Sequence, residues 1–168
     1  MNKVKSLLGL ITLLIIYSCG SKEMTNNDKF HGMWRLDKFE ALDTVAGKWT
    51  DDTTRIGYNG YILYDGLGHM GVHLTPKGYK DFNSRKNIDS LNLDDLKALT
   101  KFYQSNFVYF ADYVLTNSTI AHKRLSATEP KSWETTLTRD FYFNKDTLIL
   151  TAHESIGGNK VRLRWIKL

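Results

Sequence analysis

The strongest constraint on this chain is a succession of strand-length segments, rich in β-branched and aromatic residues and separated by sharp turn signals. Strands are expected near 33–41, 59–65, 69–75, 106–115, 118–126, 135–144, 146–153 and 160–167. Several of the links are short: Asp65-Gly66-Leu67-Gly68, Thr116-Asn117, Asn144-Lys145-Asp146 and Gly157-Gly158-Asn159. Turns of this chemistry join antiparallel neighbours. Eight antiparallel strands in succession predict an all-β fold, an eight-stranded up-and-down barrel, because closure removes the unpaired edges of an open sheet.

One helix interrupts the strands, between the third and the fourth. Over 92–103 apolar residues recur at Leu93, Leu96, Leu99, Phe102 and Tyr103, behind a possible N-cap at Asn92. Asp94 and Asp95 suit the positive end of such a helix. Its simplest role is to plug one end of the barrel. The link 42–58, with Trp49, Asp51 and Asp52, is long enough to lie over a barrel mouth.

Side-chain alternation then assigns the interior. Trp34 and Leu36 share a face, as do Leu163 and Trp165. Tyr109, Ala111 and Tyr113 form one face of the fourth strand, and Ile120, His122 and Arg124 one face of the fifth. Arg139, Phe141 and Phe143 line up on the sixth. Pointing inward, these faces make an aromatic lumen with a few polar groups, which suits a small amphipathic ligand. The candidate ligand-binding residues are Trp34, Tyr64, Tyr109, Tyr113, His122, Arg139 and Trp165. Arg139 can pair an anionic head group or stack on a tryptophan and close the barrel. His122 can serve a ligand or be a satisfied core histidine.

Other motifs give way to simpler readings. Gly66-Leu67-Gly68-His69-Met70-Gly71 fits the letters of a dinucleotide loop, but that chemistry needs a helix start after the glycines. An alternating strand follows instead, so the glycines read as a hairpin turn. His69 and His73 share a strand face about 13 Å apart, too far for one metal. No metal, cofactor or catalytic residue is assigned. The composition excludes a disordered or collagen-like chain: 42% of residues are hydrophobic, 12 are Gly and 2 are Pro.

The N-terminus reads as an address. Lys3 and Lys5 precede an apolar run from Leu7 to Ile16, too short to span a bilayer and typical of a secretory signal. Ile16-Tyr17-Ser18-Cys19-Gly20 then resembles a bacterial lipobox. The resemblance implies that residues 1–18 are a lipoprotein signal peptide and that Cys19, the sole cysteine, is acylated, with palmitate or similar chains. Several acyl chains, at about 0.8 kcal/mol per buried CH₂, give a lasting membrane anchor. Gly20 after the cysteine resembles the sorting pattern for the outer membrane, on its periplasmic or surface face. Lys22-Glu23 resembles the surface-export signal of some Bacteroidota lipoproteins. Residues 19–30 read as a tether and 31–168 as the barrel domain.

The formal charge of +5 shrinks once the signal is removed, leaving 21 Lys+Arg against 18 Asp+Glu, or +3, with no basic run. Nucleic acid is therefore not expected as a partner. The expected partners are the membrane and a small ligand, and the expected state is a monomer.

The body of the chain also resembles a family. His31-Gly32-Met33-Trp34 opens the first strand with Gly-x-Trp, as lipocalins do. Gly60-Tyr61-Ile62-Leu63-Tyr64-Asp65 and Gly68-His69-Met70-Gly71-Val72 resemble a second signature of bacterial lipocalin-like domains. Tyr113, His122, Arg139 before Phe141, Leu148-Ile149-Leu150 and Leu163-Arg164-Trp165 complete an ordered set over 31–168. The resemblance implies a calycin-type barrel and no particular activity. Three functions stay open: a lipid-anchored binder of a hydrophobic or amphipathic ligand, an acid–base enzyme of isomerase or hydratase type, and a non-binding envelope or interaction module with a solid barrel.

Overall fold

In the computed structural model, residues 24–81, 88–156 and 158–168 are described. Cys19, the signal segment and the first part of the tether lie outside them. The eight expected strands form as β1 (Gly32–Asp43), β3 (Asn59–Tyr64), β4 (His69–Thr75), β5 (Phe107–Leu115), β6 (Thr119–Ala127), β7 (Thr136–Asn144), β8 (Thr147–Ile156) and β9 (Asn159–Lys167). Each pairs antiparallel with its successor. β9 returns to β1, from Trp34↔Lys167 to Ala41↔Val161, and closes the barrel. This is the strand number and up-and-down order of the lipocalin architecture. A further short strand, β2 (Lys48–Asp51), folds the link 42–58 back onto the far end of β1.

The alternation predicted from sequence decides what is inside. Trp34, Leu36, Tyr109, Ala111, Tyr113, Ile120, His122, Arg139, Phe141, Leu163 and Trp165 are all buried. β1 departs from strict alternation at a bulge between Leu36 and Lys38, so Phe39 turns inward next to a buried Glu40. The glycine-rich motif is a hairpin turn between β3 and β4. Gly66 and Gly68 take φ of +77° and +110°, and the Asp65 carboxylate accepts from Leu67 N and His69 N.

The two ends of the barrel differ. One carries the tight β3–β4, β5–β6 and β7–β8 turns and a short helix, α1 (Asn26–Phe30), inside the stretch read as tether. Thr25 and Asp28 form a capping box that starts α1. Phe30 is completely buried, edge-on to Tyr64, Phe141 and Phe143 at 4.9–5.2 Å. This end is closed. Among the described residues, the opposite end carries 44–58, 76–81, 88–106 and 128–135 and forms a mouth.

The predicted helix is present as α2 (Leu93–Gln104), with the Asn92 side chain accepting from Asp95 N at 2.9 Å. It does not plug the barrel, because none of its side chains is buried. Its Phe102 instead stacks on Tyr79 at 5.3 Å. The plug is α1, which carries a fully buried aromatic where α2 carries none.

Candidate functional site

The lumen holds a cavity of about 220 Å³ that opens toward the mouth. Its walls are apolar: Phe39 from β1, Ile62 from β3, Val72 and Leu74 from β4, Phe107 from β5, Leu150 from β8 and Leu163 from β9. Tyr109, His122, Arg139 and Trp165 supply its polar groups. Arg55, Tyr58 and Ser105 complete the lining, Tyr58 Oη donating to Ser105 O at 3.3 Å. The link 42–58 therefore reaches the lumen through Arg55 and Tyr58. Of α2 and its caps, only Ser105 does so among the described residues. Wider hollows lie on the outer surface, but the lumen is where buried polar groups converge within apolar walls.

His122 sits at the centre of the polar set. Its Nε2 lies 3.1 Å from Tyr64 Oη and its Nδ1 2.8 Å from Tyr109 Oη. Burial, reinforced by the Arg139 and Arg124 charges, holds its imidazole pKa down at about 3, so the ring is neutral near pH 7. Burial pushes the Tyr109 phenol up to about 12 and that of Tyr64 well above its usual value. All three groups are thus uncharged hydrogen-bonding groups.

Arg139 is the charge beside them. Its Nη1 donates to Glu154 Oε2 at 2.7 Å and to Thr138 O at 3.1 Å. It stacks on no tryptophan among the described residues; Lys167 covers Trp34 and Arg162 covers Trp49. Arg124 lies over the Tyr109 ring at 5.9 Å, with its Nε donating to Thr135 Oγ1 at 2.9 Å. The indole Nε1 of Trp165 is buried and has no hydrogen-bond partner among the described residues.

Of the seven residues expected to meet a ligand, Tyr109, His122, Arg139 and Trp165 line the cavity. Tyr64 stands behind His122, outside the cavity lining. Trp34 and Tyr113 belong to the closed end: Trp34 Nε1 donates to Phe30 O at 2.8 Å, and Tyr113 Oη donates to Asn27 Oδ1 at 2.7 Å. They share the inward faces of their strands with cavity residues, but lie one or two side-chain layers deeper, where α1 fills the lumen. Sequence reasoning missed Phe39, which the β1 bulge redirects, and Arg55 and Tyr58, which lie in a link without periodicity. It also missed Glu154, the partner of Arg139. The inward set Ile62, Val72 and Leu74 was open to the same alternation argument. The histidines on the outer face of β4 have their own partners: His69 Nδ1 is 2.6 Å from Asp65 Oδ2, and His73 Nε2 is 2.8 Å from Asn106 Oδ1.

No family model matches the chain, and no curated protein matches it. Among solved structures it is similar to a lipocalin-like protein from Bacteroides uniformis at 14% identity, covering 83% of this chain and 99% of that one, with a TM-score of 0.43. It is also similar to an uncharacterized protein from Bacteroides eggerthii at 10% identity, with the same coverage and a TM-score of 0.42.

Proposed function

We propose that this chain is a membrane-anchored barrel that binds a small amphipathic molecule in its lumen, entered from the mouth. The cavity carries the reading: apolar walls on most sides, with Tyr109 and Arg139 among the lining residues to meet the polar part of a guest. Its 220 Å³ exceeds the ~150 Å³ that accommodates benzene in an engineered cavity, so a compact ring or a short acyl chain fits. His122 is a poor candidate for a catalytic base, because its pKa is held down at about 3 and both its ring nitrogens are engaged by tyrosines.

The anchor would be Cys19. Met24 lies five chain steps beyond it, a reach of about 18 Å at most. A bilayer holding acyl chains on Cys19 would therefore lie on the side of the closed end, with the mouth directed away from it.

Titration of the purified protein with short- and medium-chain amphiphiles, followed by tryptophan fluorescence, tests the lumen. Saturable binding is expected; no response to any of them would overturn the binding role. Labelled palmitate should be incorporated by the wild-type chain and not by Cys19→Ser, and the variant should leave the membrane fraction. Equal membrane retention of both would overturn the anchor.

A further inference from the structure

We infer that the outer wall of β1, β3, β4 and β5, where it meets the closed end, is a second membrane contact. Its exposed apolar side chains sink into the boundary between lipid headgroups and acyl chains, and the barrel tilts onto that wall. The inference rests on the anchor at Cys19 proposed above, and adds which face of the barrel meets the lipid.

Outward positions of a half-buried antiparallel sheet are normally polar. Here the register sets Met33, Leu63, Gly71 and Phe110 in one row across the four strands. Met33 and Leu63 are exposed, and Phe110 is exposed to 60%. Gly71 adds no side chain, and the surface around it sinks into a hollow of about 490 Å³ with Tyr61 and Val108 among its walls. Leu67, at the tip of the β3–β4 turn, is 82% exposed. Leu168 donates its N–H to Met33 O at 3.0 Å, so a further exposed leucine ends the chain beside this row. Apolar surface gathered in this way marks a contact with another phase or partner.

The course of the chain selects lipid as the occupant. Asn27 Nδ2 donates to Gly66 O, so α1 is tied to the β3–β4 turn and the tether leaves from the same corner. Met24, just ahead of α1, is exposed as well, and Cys19 lies within about 18 Å of it. Leu63 stands two residues from Asp65, about 7 Å along the strand. That distance is within the roughly 5–10 Å to which interfacial apolar groups sink. The polar groups on the way do not oppose this. The Asp65 carboxylate accepts from Leu67 N and His69 N and lies 2.6 Å from His69 Nδ1, so it meets the boundary already answered by protein donors. Lys167 Nζ donates to Lys29 O at the same end, where both ammonium groups suit lipid phosphates.

Depth-dependent fluorescence on the full-length acylated protein tests this. Cys19 is the sole cysteine and is blocked when acylated, so an introduced cysteine is a unique site for an environment-sensitive dye. Leu67→Cys and Phe110→Cys probe the wall, and Val45→Cys, 98% exposed near the mouth, is the control. The labelled proteins are reconstituted into phosphatidylethanolamine–phosphatidylglycerol vesicles with brominated acyl chains. Dyes at 67 and 110 should be quenched by the lipid at least about threefold more strongly than the dye at 45, and aqueous iodide should show the reverse order. Retained protein with all three dyes equally open to iodide would overturn the inference and leave the anchor standing. A dye at 110 sheltered from both quenchers would overturn it in favour of contact between copies of the chain. Protein that washes off the vesicles would overturn the anchor, and this inference with it.

Discussion

Tyr113 Oη donates to Asn27 Oδ1 at 2.7 Å, joining residues 86 positions apart and tying α1 to the barrel. Asn27 Nδ2 in turn donates to Gly66 O at 2.8 Å, so one side chain holds both β5 and the β3–β4 turn. This bond and the buried ring of Phe30 are what close the bottom of the lumen.

Removing the two contacts should have unequal effects. Tyr113→Phe is expected to cost about 1 kcal/mol, the net value of a partly buried hydrogen bond. Phe30→Ala leaves a cavity among three aromatic rings and should cost about 3–5 kcal/mol. Urea denaturation of both variants checks this, and a Phe30→Ala loss no larger than that of Tyr113→Phe would contradict the account.

His122 should make stability depend on pH. In the unfolded chain a histidine titrates near 6.5, whereas in the fold His122 is held at about 3. Below the unfolded value the unfolded state takes up a proton that the native state refuses. Stability from this group is therefore full above pH 6.5 and falls as pH drops, by about 1.4 kcal/mol per unit toward the folded value. Urea midpoints measured for wild type and His122→Gln should diverge at neutral pH and converge as the solution is acidified. Parallel pH profiles for the two proteins would refute the buried neutral imidazole.

The pair Glu40 and Arg162 is an ionic contact with a buried carboxylate. Arg162 Nε donates to Glu40 Oε2 at 2.6 Å, while the guanidinium lies 4.5 Å from the Trp49 ring centroid. Arg162→Leu leaves the buried Glu40 carboxylate with only the longer Lys38 contact at 4.0 Å among the described residues and should cost about 2–3 kcal/mol. Glu40→Gln in the same background should recover much of it, a coupling that thermal or urea unfolding of the double mutant would reveal.

Two strand glycines should respond differently to a methyl group. A Cβ on Gly60 would lie 2.5 Å from His73 O and 3.1 Å from Leu74 Cα, which are backbone and cannot step aside. Gly60→Ala should cost about 2–3 kcal/mol, whereas Gly71→Ala meets only the exposed, movable Phe110 ring and should cost under about 1 kcal/mol. Comparing the melting temperatures of the two variants decides the point.

The readable parts of the fold were those with a period or a local turn chemistry. Ile62, Val72 and Leu74 alternate with exposed partners, Asn92 caps its helix from three residues away, and Asp65 organises its own turn. Phe39 was not readable, because the bulge in β1 is set by pairing with β9 across the closure of the barrel. Arg55 and Tyr58 reach the lumen from a link whose course depends on β2 folding back onto β1. Glu154 and Arg139 are partners because β7 and β8 are adjacent, and neither strand announces the pair.

By itself the sequence determined the eight strands, their up-and-down order, the inward faces and the position of the helix. All of these follow from local steric preference and from the two-residue period of a half-buried strand. Only the tertiary structure decided how far along each inward face the lumen stays empty. Trp34 and Tyr113 share their faces with cavity residues yet are sealed in by α1, while Tyr109, His122, Arg139 and Trp165 border open volume. Depth in a barrel depends on register around the whole sheet and on what fills its end, which is a sum over contacts between segments far apart in the chain.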